Sequence, residues 1–494
     1  MKILTGKNIK AADLYTIEHE PVSSLELMER ASEVIAQWIC NHIEREHPLL
    51  FFIGKGNNGG DGLAVARMLC NVGYGCSVYC AYPEEALSEE CRIELERLPE
   101  NIHRFAPGEE FGVDDQTVLV DALLGTGVGG EIKEPLRSLI EAINRLPNKV
   151  LSIDLPSGMK TEFGNAGQTI VQADATLTLE FPKLAMLLPE AGEYCGEIEI
   201  LPIELSPEFL DEAESGYHYI TEDFIQSILE PRAKFAHKGT YGQALLVCGS
   251  RQMMGAAILS VGAALRSGCG LVTAHIPESE RTAMQVSCPS AIVSLDAAGY
   301  FSAMPSDPKT YDAIGIGCGT GQRKETAEAF CELLYQQIPM VIDADALNIL
   351  ATHKKMLRHI PAGSILTPHP GELRRLVGEW HDEQHKIELV KELAAQTRAV
   401  VVVKGAHTMV VLPDGCCFFN STGCSGMAKG GSGDVLTGYL TGLIARGYAA
   451  PQAALLGVYI HGLAGEKAAE YYGEEGMNSS DLVDFLAESQ NQLG

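Results

Sequence analysis

The segment GKGNNGGDG, residues 54–62, sets five glycines, two asparagines and an aspartate directly behind the apolar run LLFFI. A turn out of a strand needs one or two glycines. Asn57, Asn58 and Asp61 add amide and carboxylate groups that a turn alone does not require. The reading places a strand end at Gly54 and a helix start near Leu63, with Asp61 available as an N-cap. The spacing fits neither the dinucleotide fingerprint GxGxxG nor a P-loop, since no Gly-Lys-Ser/Thr follows. Glycines at the carboxyl end of a strand let backbone N–H groups approach an anionic ligand.

Two more strand ends in the first half carry chemistry. VDALLGTGVGGE brings out Asp121 and opens a second glycine loop from Gly125. SIDLPSGM brings out Asp154 before Pro156, Ser157 and Gly158. Three strand ends, each with an acid and a flexible loop, are expected to line one pocket. Asn58, Asp121 and Ser157 offer hard oxygen ligands for an alkali or alkaline-earth cation. Asp154 is the expected acid or base. Lys183, near the end of a further strand, could be a second proton-handling group, although a surface lysine is the plainer reading.

The second half repeats the strategy. MAKGGSGDVLTG sets Gly430, Gly431, Ser432 and Gly433 before a long helix, with Asp434 in its first turn. Backbone N–H groups there would hold a transferring phosphoryl group while Asp434 accepts a hydroxyl proton. Capping would explain Asp434 but not the three glycines. VVVKGAHTMVV ends a strand at Lys404 and Gly405, a plausible nucleotide contact. ILTPHPGEL brings out His369 between prolines, and GIGCGTG adds a loop ending in Gly321. Asp343 and Asp345 of VIDADALN lie near the sheet edge, where a metal or phosphate-side role competes with helix capping.

The elements that must position these groups alternate along the chain. LLFFIG, CSVYCA, TVLVDAL, KVLSIDL, ALLVCGS, LVTAHI, DAIGIG, MVIDAD, SILTPH and AVVVVKG read as strands. Helical patterns such as EPLRSLIEAINRL and KIELVKELAAQT lie between them. Such alternation predicts α/β architecture with parallel sheets covered on both faces. At 494 residues the chain is long enough for two cores. The acidic, turn-prone ELSPEFLDEAESGYHYIT, without helical period, puts the boundary near Ser215, giving domains 1–215 and 216–494. The balance of 37 basic against 65 acidic residues, −28 net, argues against nucleic acid and anionic membrane as partners. The N-terminal residues turn polar too soon for a signal peptide, and GAAILSVGAALRSGCGLV, broken by Arg266, reads as a buried helix. The 14 scattered cysteines form no CxxC pair, which points to a reducing cytoplasm.

LMERAS, GNNGGDG, VDALLGTG and SIDLPSG, in that order over roughly residues 1–215, resemble the N-terminal domain of the NAD(P)H-hydrate epimerase (YjeF) family. HKGTYGQALLVCGS, VIDADALN, TPHPGEL, KGAHT and GGSGDVLTG, over roughly 220–494, resemble the NAD(P)H-hydrate dehydratase branch of the ribokinase-like fold. The resemblance implies an N-terminal Rossmann-like three-layer sandwich and a C-terminal ribokinase-like α/β domain. It implies that Asn57, Asn58, Gly59, Gly60 and Asp61, with Gly125, Thr126, Gly127, Val128, Gly129, Gly130 and Glu131, hold the hydrated dinucleotide. Asp154 would contact it, and Asn58, Asp121 and Ser157 would bind potassium. In the second domain Ala256, Gly319, His369 and Asp434 would contact the substrate. Lys404, Gly405, Ala406, His407 and Thr408 would hold the nucleotide with Ser425, Gly426, Met427, Ala428, Lys429, Gly430, Gly431, Ser432 and Gly433. One departure stands out: Cys318 occupies the GCGTG loop where proline is expected.

By the same resemblance, the chain repairs NADH and NADPH hydrated at C6 of the nicotinamide ring. One domain interconverts the R and S hydrates. The other phosphorylates the added hydroxyl of the S form, after which phosphate leaves and the double bond returns. ADP as co-substrate, K+, Mg2+ and a homo-oligomeric state are the further expectations. The alternative is a small-alcohol (vitamin precursor) kinase with an N-terminal ligand-binding module. An NAD-dependent dehydrogenase is disfavoured by the glycine spacing.

Overall fold

The computed structural model describes residues 1–494. It divides into two compact units, Lys2–Tyr217 and His218–Gly494, with Met1 counted in the latter. In the first, β1 (Leu49–Ile53), β2 (Cys76–Cys80), β3 (His103–Phe105), β4 (Val118–Ala122), β5 (Val150–Ile153), β6 (Ala175–Leu179) and β7 (Glu197–Leu201) make one sheet. Its order is β3-β2-β1-β4-β5-β6-β7, parallel throughout. Side-chain alternation in β1 explains the layering. Phe51 packs with Ile35, Ile39 and Leu63 of helices Ser24–His42 and Asn57–Asn71 on one face. Leu50 and Phe52 meet Ile140 and Ile143 of helix Leu136–Ile143 on the other. The strand order reverses between β1 and β4, and ligands of open α/β sheets bind outside the carboxyl ends at such a point.

The second sheet comprises β8 (Tyr217–Tyr219), β9 (Gln243–Val247), β10 (Leu271–Pro277), β11 (Ile292–Asp296), β12 (Ala313–Ile316), β13 (Met340–Ile342), β14 (Ile365–Leu366), β15 (Val400–Val403), β16 (Met409–Val411) and β17 (Cys417–Phe419). The order is β11-β10-β9-β12-β13-β14-β15-β16-β17-β8. From β11 to β15 the pairs are parallel, whereas β15, β16 and β17 pair antiparallel. The alternation of strands and helices does not foretell that hairpin. Its local signal is Pro413-Asp414-Gly415 between two apolar runs, and the Leu412 N–H closes the turn on the Cys416 carbonyl at 2.9 Å. The stretch expected at the domain boundary, without helical period, contains a short helix, Pro207–Glu212, that belongs to the first unit. No helix is long and apolar enough to cross a membrane.

The core of the second unit gathers helices Met254–Arg266, Ser432–Arg446, Ala450–Tyr472 and Ser479–Leu493. Gly438 lets the first two touch backbone to backbone. A Cβ there would lie 1.8 Å from the Ser260 carbonyl oxygen, while the Ser260 hydroxyl donates to the Asp434 carbonyl at 2.9 Å. Gly438→Ala is therefore expected to destabilise the chain by roughly 1–3 kcal/mol, read by denaturant unfolding.

Candidate active sites

In the first unit the helix begins earlier than its glycines suggest. Gly56 caps it without a side chain, and the run from Asn57 to Gly62 is helical. Asp61 is therefore no N-cap: it is buried inside the helix. The glycines permit this packing, since a Cβ on Gly59 would stand 2.2 Å from the Gly54 carbonyl oxygen. The opening N–H groups at Asn57 and Asn58 precede the first intrahelical bond, which Gly60 makes to Gly56 at 3.1 Å. Unpaired N–H groups at a helix start beyond the carboxyl end of β1 are of the kind that can hold an anion. Of the second glycine loop, Gly125 reaches this place, where a Cβ would meet the Asn58 and Asp154 side chains at 3.4–3.5 Å. Gly127, Gly129, Gly130 and Glu131 are exposed, and Thr126 and Val128 half-buried.

Asn58, Asp121 and Ser157 meet beneath that loop. The Ser157 hydroxyl donates to Asp121 at 2.5 Å, its N–H does so at 2.8 Å, and the Ser152 hydroxyl at 2.9 Å. Burial pushes the Asp121 carboxyl up, and these hydrogen bonds work against the shift. Asn58 donates through Nδ2 to the Leu124 carbonyl at 3.0 Å, but its Oδ1 is buried with no donor. An orphan acceptor costs about 1–3 kcal/mol. One beside a carboxylate, a hydroxyl and a carbonyl fits a cation.

Asp154 follows β5 with φ of +64°, in the left-handed region. That conformation costs roughly 1–2 kcal/mol for a non-glycine residue and gathers at functional sites. Lys183, read from the sequence as most plainly a surface residue, is 1 % exposed. Its ammonium donates to Asp154 Oδ1, to the Thr178 hydroxyl at 2.8 Å and to the Leu179 carbonyl at 3.1 Å. Lysine sits under the sheet edge because LEFPKLAML turns back there, with Phe181 buried and its ring 5.7 Å from the ammonium. Asp61 is held well above the carboxylate range by burial, then by the charges of Asp154 and Asp13. The pocket thus holds an ion pair near a carboxyl whose pKa burial raises.

In the second unit a cavity of about 800 Å³ is lined by His369, Lys404, Gly405, Ala406, His407, Thr408, Asn420, Ser425, Met427, Ala428, Lys429, Ser432, Gly433 and His461. Gly426, Gly430 and Gly431 stand behind it. Gly426 packs on Glu474 and Met477, the Gly430 carbonyl accepts from Ser479 at 2.9 Å, and Gly431, at φ +104°, caps the helix. Lys429 donates to the carbonyls of Glu474, Glu475 and Met477 at 2.5–2.9 Å, anchoring the loop. Ala256 and Gly319 touch each other, since a Cβ on Gly319 would meet that of Ala256 at 3.2 Å.

Asp434 is the third residue of its helix rather than its cap. Burial raises its carboxyl pKa, a hydrogen bond from the Cys318 thiol lowers it, Asp343 and Asp345 raise it, and Lys404 lowers it. The residue that replaces the expected proline thus touches the expected base. Asp343 occupies an N-cap position but makes no capping bond. Its carboxylate instead accepts from Lys404 at 2.7 Å and from the Thr437 hydroxyl at 2.8 Å. Glu372 stands 3.9 Å from the same ammonium. Burial alone would lower the Lys404 pKa, but Asp343 and Glu372 hold it above the ordinary lysine value. Asp345 serves neither a cap nor this cluster: it accepts from the Gly321 N–H at 2.8 Å and fixes the glycine loop.

The sequence reading missed Glu372, Thr437 and His461. Glu372 was legible as the third residue after His369, in capping-box spacing. His461 sits on an apolar helix with no local sign of a role. It donates from Nε2 to the Ser432 carbonyl at 3.0 Å, tying down the glycine turn. Burial pushes its pKa to about 4. Unfolding exposes an imidazole that binds a proton below about 6.5, so stability is lost as pH falls from 6.5 towards 4. At pH 5 the loss is about 2 kcal/mol. Denaturant titrations at pH 7 and 5 should show it in the wild-type chain and not in His461→Gln.

Each unit therefore presents glycine-lined N–H groups and paired carboxylates at the carboxyl edge of a parallel sheet, the arrangement of a two-domain enzyme for phosphate-bearing small molecules. The family described as "NAD(P)H-hydrate dehydratase" matches residues 244–488, and "YjeF-related protein N-terminus" matches residues 24–185. The bifunctional NAD(P)H-hydrate repair enzyme Nnr of Moorella thermoacetica is 33% identical over 98% of this chain and 96% of its own. The ADP/ATP-dependent NAD(P)H-hydrate dehydratase of Bacillus subtilis, co-crystallised with ATP/Mg2+, is 33% identical with a TM-score of 0.50, covering 56% of this chain and 99% of its own. A ribokinase-like superfamily protein of Enterococcus faecalis matches at 25% identity and a TM-score of 0.51, over 57% of this chain and 98% of its own. The chain belongs to the family of bifunctional NAD(P)H-hydrate repair enzymes, with a ribokinase-like dehydratase domain and a YjeF-type epimerase domain. The small-alcohol kinase alternative is not favoured.

Proposed function

We propose that this chain restores NADH and NADPH from their hydrates, with ADP as the phosphoryl donor. The observation that carries the dehydratase half is Asp434, half-buried near Lys404 and the glycine turn that begins a helix buried along most of its length. The nucleotide would occupy the cavity from Lys404–Thr408 to Ser425–Gly433, its terminal phosphoryl group against the N–H groups of the Gly430–Gly433 turn. Ala256, Gly319 and His369 would place the S hydrate. Asp434 takes the proton of the C6 hydroxyl as its oxygen attacks phosphorus and AMP leaves. The new C–O–phosphate bond then breaks, phosphate departs, and loss of the C5 proton restores the C5–C6 double bond. A hydroxyl becomes a good leaving group at the cost of one phosphoanhydride.

Asp343 and Glu372 are hard-oxygen groups already paired with the Lys404 ammonium, so Mg2+ would be held chiefly by the nucleotide's phosphates. Mg2+ would neutralise charge on the phosphoryl oxygens during transfer. In the first unit Asn57–Asp61 and Gly125–Glu131 would hold the hydrate's phosphates and ring, and Asp154 with Lys183 would handle the protons of R–S interconversion. The donorless Oδ1 of Asn58, with Asp121 and Ser157, supports K+. Homo-oligomerisation and a cytoplasmic setting belong to the same proposal, the latter in keeping with 14 unpaired cysteines.

Two measurements test this. Incubation of S hydrate with ADP and Mg2+ should yield reduced nicotinamide, AMP and phosphate in equal amounts, and a stable phosphorylated product would sink the dehydratase step. Potassium, compared with equal choline, should raise the melting temperature of wild-type protein and not of Asn58→Ala. Equal melting in both salts would remove the cation.

A further inference from the structure

Lys404 and Asn420 both line the cavity of the second unit, from different strands of one sheet edge. Lys404 follows β15 and Asn420 follows β17. β16 lies between, with Val403 paired to Met409 and Met409 to Phe419. Two strand spacings put the two residues about 10 Å apart. Lys404 marks the phosphate end, since a Cβ on Gly433 would stand 3.2 Å from its ammonium. Asn420 is then a diphosphate and a ribose away, at the base end, where Met427 and Val458 add apolar lining for a flat ring.

The Asn420 side chain is 3 % exposed, and its Oδ1 has no donor. The amide cannot turn over to find one. Its Nδ2 donates to the Thr422 carbonyl at 2.9 Å, the Thr422 hydroxyl at 3.1 Å and the Val458 carbonyl at 3.2 Å. That hydroxyl is itself spent on the Tyr459 carbonyl at 2.7 Å, so a turned amide would set its oxygen against two carbonyls. His407, which also lines the cavity, holds Nδ1 3.1 Å from the Asn420 carbonyl. A carbonyl only accepts, so Nδ1 carries the proton and Nε2 presents a lone pair. This end of the cavity offers acceptors and calls for a donor.

We propose that Asn420 selects the base of the nucleotide, its Oδ1 accepting from the 6-amino group of adenine. This rests on the nucleotide reading of the cavity. A purine with a carbonyl at C6, such as guanine or hypoxanthine, would bring oxygen against oxygen and leave both acceptors unpaired. A ribose hydroxyl also supplies a donor, and deoxyribose nucleotides separate the two sources.

The experiment measures kcat/KM for dehydration of S hydrate by the full chain with Mg2+ and ADP, IDP, 2′-deoxy-ADP or 3′-deoxy-ADP. Wild type should favour ADP over IDP by roughly 10–100-fold, with both deoxy nucleotides within a few-fold of ADP. Asn420→Ala should bring ADP down to the level of IDP, and that ratio does not depend on how much of the variant is folded. A preference for ADP kept in Asn420→Ala would overturn the proposal. The wild type alone can overturn it too, by using ADP and IDP alike or by losing activity with a deoxy nucleotide instead. Melting temperatures with ADP or IDP and no hydrate read the same contact without turnover. A larger rise with ADP, but no dehydration with any nucleotide, would uphold the Asn420 contact and sink the dehydratase reading. Equal rises would overturn the contact.

Discussion

Asp434→Asn should lower ADP-dependent recovery of reduced nicotinamide from S hydrate by roughly 10²–10⁴-fold, with little change in the KM for ADP. The amide keeps the shape of the carboxylate but cannot take the hydroxyl proton, and the Gly430–Gly433 turn and Lys404 remain to bind phosphates. The same variant should not melt lower than wild type at pH 7.5. Burial raises the folded pKa of Asp434 above its unfolded value, so its contribution to stability is full below the unfolded pKa and is lost as pH rises through the folded one. A neutral amide is free of that loss. A large fall in melting temperature would contradict this and give Asp434 a structural role.

Asp154→Asn should behave oppositely in stability. Epimerisation should fall by a comparable factor, and the chain should also lose about 3–5 kcal/mol, because the substitution strands the Lys183 ammonium, 1 % exposed, without its counter-ion. Lys183→Met should recover much of that stability when added to Asp154→Asn, since a hydrophobic side chain of similar length removes the stranded charge. It should recover no epimerase activity. Denaturant unfolding of the single and double variants reads the first expectation, and chromatographic R–S interconversion reads the second. Activity regained in the double variant would show that the pair holds the loop without handling protons.

The contrast between the two aspartates shows what a sequence can and cannot carry. Glycine clusters at strand ends are local signals, so VDALLGTG and SIDLPSG could be read directly as strands opening into loops, whereas most of GNNGGDG and GGSGDVLTG forms the first turns of helices. The central strands were legible for the same reason, being short apolar runs such as LLFFI. Edge strands were not: β3 has only three residues, two of them polar, and β7, where Glu and Ile alternate as in a half-buried strand, lacks the continuous apolar run that marks the central strands. Lys183 was misjudged because its type argues for the surface, and only the Thr178, Leu179 and Asp154 oxygens, set by the turn after β6, make its burial tolerable. Asp343 misled through its N-cap position, whereas its partners Lys404 and Thr437 lie 61 and 94 residues away. Long-range ion pairs of this kind leave no spacing to read. Cys318 was visible as a departure, but its contact with Asp434 needed the geometry of two chain segments.

The most direct test of two cooperating sites is the early time course of reduced-nicotinamide absorbance from a mixed R and S hydrate, with ADP and Mg2+. Wild type should recover the whole absorbance in one continuous rise. Asp154→Asn should reach the share set by the S hydrate at an undiminished initial rate, then continue only as fast as R converts to S without enzyme. Full recovery by Asp154→Asn at the wild-type rate would contradict the assignment of epimerisation to the first unit.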